Sequence, residues 1–287
     1  MKRALLIISI LIASFGCSRP KGFNYKKIVS HHGPAIEWEV EPQISHGEIT
    51  AILSQPYRYL GSGNHTYAFV SEDGRYVIKF FKQKHMRTRS WVDFLPIPAK
   101  RILYPTGKID RRTQERNDSY SSYKIAYQML YDETALVYFH LNKTRHLNLS
   151  LELFDQHGDV LTVDLDEMEF LVQRKAELAF DYLKTLYKEG RAEEAESAIL
   201  SLLDVVAKRN LKGIYDRDLQ FFKNFGFIKN QAVEVDIGEF RLDTPPDDTY
   251  QELKTLSYQI RDFLKVHAPK QRKAVEHKIN TYLETYQ

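Results

Sequence analysis

The stretch 57-YRYLGSGNHTYAFVSEDGRYVIKFFK-82 constrains this chain more than any other. Its strand-forming residues are broken twice by turn chemistry, first at Gly61-Ser62-Gly63 and then at Asp73-Gly74. An Asp-Gly pair between strand-like runs is a strong hairpin signal, so the segment predicts strand, glycine-rich turn, strand, tight turn, strand. Glycines in the first turn let the backbone come close to a ligand and leave amide N–H groups for an anion. Lys79 stands in the middle of the third run, 77-VIKFF-81. Burying an unpaired ammonium costs several kcal/mol, so this lysine must snorkel out of the sheet edge or meet an anion. A glycine-rich hairpin whose return strand carries an inward lysine is able to hold the phosphates of a nucleotide.

The rest of the chain alternates between the two periods of secondary structure. The region 82–113, with a basic start and three prolines, reads as an insertion. Residues 114–133 read as a helix with Tyr120, Tyr123, Tyr127 and Leu130 on one stripe. Two alternating strands, 135–143 and 147–155, follow with a short polar turn between them. Segments 160–165 and 169–177 complete a sheet, and His140 within it reads as structural. Amphipathic helices at 176–190 and 191–210 meet at Gly190, and no second copy of the pair exists, which excludes a repeat array. Next comes 213-GIYDRDLQFFKNFGFIKNQAVEVDIGEF-240, where an apolar strand turns abruptly acidic at Asp236, and helices are expected at about 250–266 and 269–285.

At 287 residues the chain is long enough for one large domain or two lobes. A formal charge of +3 spread over scattered basic residues is too mild to imply nucleic acid. Met1-Lys2-Arg3, the apolar 4-ALLIISILIASFG-16 and Cys17, the one cysteine, form an N-terminus that is short for a bilayer span and fits a signal peptide. It resembles a bacterial lipoprotein signal, with Ser14 where that motif usually has leucine. The resemblance implies a signal peptide over 1–16, a lipid on Cys17 and membrane association, with the side of the membrane open and secretion among the options. Residues 17–50 read as a tether with some packing by Trp38. His31-His32 lack a further metal ligand at useful spacing, and a lone cysteine excludes an internal disulfide.

The order of motifs resembles the protein-kinase family. Leu60-Gly61-Ser62-Gly63 is similar to its glycine-rich loop and Val77-Ile78-Lys79 to its lysine strand. Asp216-Arg217-Asp218 takes the place of His-Arg-Asp, Asn224 that of the metal-binding asparagine, and Asp236-Ile237-Gly238 that of Asp-Phe-Gly. The resemblance implies an α+β, two-lobed protein-kinase-like fold, with a β-rich N-lobe over 51–175 and a short helical C-lobe over 176–287. Residues 170-FLVQRK-175 would lead into the hinge. ATP and Mg²⁺ are the implied cofactors: Gly61, Gly63 and Lys79 on the nucleotide, Asn224 and Asp236 on the metal. Asp218 or Asp216 would be the carboxylate near the attacking hydroxyl, and Glu115 the helical partner of Lys79, although it lies near the helix start and off the tyrosine stripe.

Three departures stand out. Thr66 replaces the third glycine of the loop, Asp216 replaces the histidine, and Asp218 to Asn224 is six positions where the family has five. No Ala-Pro-Glu follows Gly238, and little chain remains for a peptide-docking platform. The sequence therefore supports an atypical kinase, with a small hydroxylated acceptor, an atypical protein substrate and mere nucleotide sensing all open. The alternative is a membrane-tethered pseudokinase or binding module that holds a protein partner without turnover.

Overall fold

In a computed structural model of the chain, residues 22–30, 32–83, 107–242 and 248–287 are described. The signal segment, Cys17, His31 and residues 84–106 of the expected insertion lie outside them.

The hairpins form as the turn chemistry dictates: β1 (Tyr57–Ser62), β2 (Thr66–Ser71) and β3 (Tyr76–Phe81) are consecutive and antiparallel. Alternation along them buries Tyr57, Tyr67, Phe69 and Phe80 on one face. A helix, α1 (His46–Leu53), precedes them and is started by a capping box between Ser45 and Glu48. Residues 22–50, read above as a tether, lie against this lobe where described, with Ile28, Trp38 and Ile49 buried.

Strands β4 (Leu136–His140), β5 (Ser150–Phe154), β6 (Val160–Asp164) and β7 (Phe170–Arg174) complete a seven-stranded sheet of order β4-β7-β3-β2-β1-β5-β6. Although only a short polar segment joins β4 and β5, the two do not pair. β4 pairs with β7 at one edge, while β5 lies parallel to β1 near the other. The segment between them crosses over because its backbone is satisfied by a side chain. Asp166 accepts the N–H groups of His146, Leu147 and Asn148 at 3.1, 3.2 and 2.9 Å, so no cross-strand ladder is required.

The helix α2 (Gly107–Met129) packs its stripe of Tyr120, Tyr123, Ala126 and Tyr127 inward. Trp38 meets Tyr120 edge-on at 5.3 Å. Beyond the sheet come β8 (Glu177–Leu178), α3 (Ala179–Lys188), α4 (Ala192–Leu211), β9 (Ile214–Asp216), β10 (Phe225–Ile228), β11 (Gln231–Glu234), β12 (Phe240–Leu242), α5 (Asp248–His267) and α6 (Arg272–Glu284). The helices share a core built on Leu183, Leu202, Val206, Ile260 and Ile279. A separate core ties them to the sheet: Phe81, Tyr123 and Leu171 from above meet Ile214, Ile237 and Phe240 from below. The fold is thus α+β and two-lobed, with a β-rich N-lobe and a small helical C-lobe. Among the described residues no helix is long and apolar enough to cross a membrane.

Candidate functional site

The lower wall of the site is built where α4 ends. Gly213 adopts φ +72°, a conformation costly for other residues, and donates its N–H to Asn210 O at 2.8 Å. The chain leaves the helix there and enters β9, which pairs with β12 so that Asp216 lies opposite Phe240. This pairing sets the two acidic motifs side by side. The β10–β11 hairpin then delivers Asp236, and Gly226 lets it approach the hinge: a Cβ there would stand 2.7 Å from Glu177 O.

Asn224 knots the two motifs together. Its Nδ2 donates to Asp218 O and, at 3.4 Å, to Asp216 Oδ2, while its own carbonyl accepts Val235 N–H at 2.7 Å and Asp236 N–H at 3.4 Å. The amide is fixed by these bonds, and its Oδ1 accepts none from a described residue. Asp216 is buried, and both its oxygens are engaged, Oδ1 by the Asp218 N–H at 2.9 Å. Burial pushes its carboxyl up to about 6, against the pull of its hydrogen bonds and of Arg209. Asp218 is exposed; Gln220 donates to one of its oxygens.

The upper wall is the glycine-rich turn. Gly63, Asn64, His65 and Thr66 line one narrow cleft with Tyr123, Asp216, Asp218, Asn224, Asp236, Gly238 and Glu239. His65 and Glu239 approach to 3.8 Å across its mouth. Lys79 lies behind Asp236 and donates to Val235 O at 2.6 Å. Burial pushes its ammonium down, and the Asp236 carboxylate draws it back up. The structure therefore brings together Gly63, Lys79, Asp216, Asp218, Asn224 and Asp236. Gly61 sits further back, in β1 beside a register irregularity between Tyr59 and Gly61.

Glu115 is not brought in. It is exposed near the start of α2, and Lys79 bonds the Val235 carbonyl instead. The reason is position along the helix: the residue that faces the cleft is Tyr123, and Glu115 lies eight residues, about 12 Å, back towards the helix start. What α2 contributes instead is Ser122 and Tyr123. Ser122 is fully buried; its Oγ donates to Ile237 O and accepts Phe240 N–H, both at 2.6 Å, and so clips the loop that carries Asp236.

Sequence reasoning also missed what lies beneath the site. Arg209, wholly buried, donates Nε to Glu234 at 2.9 Å and a terminal nitrogen to Glu252 at 2.8 Å, and Glu252 in turn accepts the Asp216 N–H at 3.1 Å. Burial pushes Glu234 up to about 7, with Arg209 opposing it. Lys82, three residues after Lys79, reaches the turn, donating to Ser62 Oγ at 2.6 Å and to Gly63 O. An arginine in the last turn of an amphipathic helix and a lysine at a strand end are ordinary surface residues in one dimension, which is why neither stood out.

The cleft offers a cation two oxygen donors that no described residue occupies, Asn224 Oδ1 and the Asp236 carboxylate. No cluster of three or more His, Cys, Asp or Glu suited to a metal occurs among the described residues. Mg²⁺ bound with phosphates needs only one or two protein ligands, so the donor set fits a magnesium nucleotide better than a dedicated metal cage.

No protein-family model matches the sequence, and a search of curated proteins finds no match. Among solved structures the chain is similar to WbdD, described as a bifunctional kinase-methyltransferase. One WbdD structure shows 16% identity and a TM-score of 0.39 over 72% of this chain and 37% of that one. Another, a co-crystal with the kinase inhibitor LY294002, shows 15% identity and a TM-score of 0.38 over 79% of this chain and 45% of that one. The chain thus corresponds to less than half the length of the WbdD chains it matches. At such TM-scores the likeness says nothing of activity, which has to be read from the cleft itself.

Proposed function

We propose that the cleft binds Mg-ATP and that the protein is an atypical phosphotransferase acting on a hydroxyl acceptor. The observation that carries this reading is that Lys79 reaches Val235, the neighbour of Asp236, while Asp236 itself lines a cleft with the glycine-rich turn. Lys79 would supply positive charge for the phosphates, and the turn through Gly63, Asn64, His65 and Thr66, which lines the cleft, would cover them. Asn224 Oδ1 and Asp236 would hold the magnesium ion. The bound magnesium nucleotide would supply the transferable phosphoryl group and neutralise its charge.

Of the two candidate carboxylates, Asp218 is the one placed to accept the acceptor's proton, because it is exposed while both oxygens of Asp216 are spent on the protein. Asp216 shapes the loop. The lipoprotein-type N-terminus and Cys17 would hold the domain at a membrane.

A second reading, a binding module without turnover, is favoured by one observation: the partner of Lys79 is a backbone carbonyl rather than a glutamate. Thermal melts with and without ATP and Mg²⁺, followed by a transfer assay, separate the two. Under the first reading, stabilisation by ATP depends on Mg²⁺, disappears in Lys79→Ala and Asp236→Ala, and Asp218→Asn abolishes phosphoryl transfer while retaining binding. Binding without transfer to any acceptor favours the second. No stabilisation at millimolar nucleotide refutes the first reading.

A further inference from the structure

The helix that was expected to bring a carboxylate to Lys79 brings a phenol to the cleft instead. Tyr123 is 3% exposed, packed edge-on against Phe81 at 4.9 Å, and still lines the cleft. Its hydroxyl lies beside the metal loop, 3.3 Å from where a Cβ on Gly238 would stand. No described residue gives that hydroxyl a hydrogen bond. The hydroxyl opens on the polar cleft rather than into the core, so a ligand in the cleft is the partner within its reach. The ring is held on one side by Phe81, and its neighbour Ser122 fixes helix against loop through Ile237 and Phe240. The hydroxyl is thus presented by rigid elements, as a recognition group needs to be.

We propose that Tyr123 is a ligand-binding residue, its hydroxyl donating to a phosphate oxygen of the nucleotide held by Asn224 and Asp236. The inference rests on the magnesium-nucleotide reading and deepens it. A donor suits this position: burial pushes the phenol well above its ordinary value, and the Asp236 and Glu239 carboxylates push the same way. A phenol hydroxyl has a hydrogen to give a phosphate oxygen.

The test is Tyr123→Phe in the full-length protein, with Lys79→Ala as control, measuring the affinities for Mg-ATP and for adenosine. A hydrogen bond to a charged oxygen contributes about 1.5–3 kcal/mol, so its loss should weaken Mg-ATP binding about 10-fold or more. Adenosine, which lacks phosphates, should bind Tyr123→Phe as it binds the wild type. Ligand-free stability should also be unchanged, because the hydroxyl has no partner within the protein to lose. Equal Mg-ATP affinity in wild type and Tyr123→Phe overturns the inference while leaving the nucleotide reading intact. So does a parallel loss for adenosine, or a destabilised ligand-free protein, since either shows a packing role. Failure of the wild type to bind Mg-ATP overturns both.

Discussion

Replacing Arg209 by methionine perturbs the best-defined electrostatic feature of this protein. The guanidinium is 0% exposed and bonds Glu234, 1% exposed, and Glu252, 13% exposed. Methionine fills the volume of the arginine stem but supplies no charge and no donors. Glu234 and Glu252 lose their cation, and Asp216 loses a nearby positive charge. Breaking a buried pair in this way costs about 3–5 kcal/mol. At about 2 °C per kcal/mol for a chain of this size, the melting temperature should drop by roughly 6–10 °C.

The pH dependence gives the test its sign. Glu234 is already raised to about 7 and Asp216 to about 6, in each case by burial with Arg209 pulling the other way. Without Arg209 both rise further, so the folded variant binds more protons near neutrality than the folded wild type does, while the unfolded chains bind equally. Its stability therefore falls more steeply as pH rises. Denaturant unfolding of the full-length proteins should show the largest loss at about pH 8 and a smaller one at about pH 5. The double variant Arg209→Met/Glu234→Leu should recover part of the loss, since a buried ion pair is often replaceable by apolar residues as a unit. A loss below about 1 kcal/mol, or one equal at both pH values, would refute the assignment of Arg209 as the cation holding this cluster.

Three further changes probe separate parts of the fold. Ser122→Ala strands the buried Phe240 N–H and should cost about 1–3 kcal/mol, read as faster amide exchange at Phe240; protection equal to the wild type would deny the clip. Gly226→Ala forces a Cβ to within 2.7 Å of Glu177 O and should destabilise by about 1–3 kcal/mol, measured by denaturant midpoint, with an unchanged midpoint counting against the close approach. His140 is buried and pushed down to about 4, below its ordinary 6.5, although its bond to Met168 O opposes this. The unfolded chain therefore takes up a proton first, and stability should fall as pH drops from about 6.5 towards 4. His140→Gln should flatten that fall in a series of melts, and an unaltered slope would show that His140 does not drive it.

Much of the fold was legible in one dimension because its signals are local. Asp73-Gly74 and the alternation around it specify a hairpin wherever the chain goes, and the strand and helix spans follow the periodicity closely. Lys79 is set against Val235, the neighbour of Asp236, an approach consistent with the order of the motifs. The misfit of Glu115 was legible too, since it lies near the helix start and off the tyrosine stripe. The pairing of β5 with β1 was not, because a crossover is decided by which loop can satisfy its own backbone, here through Asp166.

The sequence by itself determined the strands and turns of the N-lobe, the amphipathic helices of the C-lobe, and the residue types that can serve phosphate and metal. These depend on neighbours within a turn or two of chain. Tertiary structure decided which of those residues act together: that Asp218 is open while Asp216 is spent, that Tyr123 rather than Glu115 faces the cleft, and that Arg209 anchors the floor beneath it. Burial, hydrogen-bond satisfaction and charge pairing across elements are properties of packing, and they exist only once β9, β12 and α2 have met.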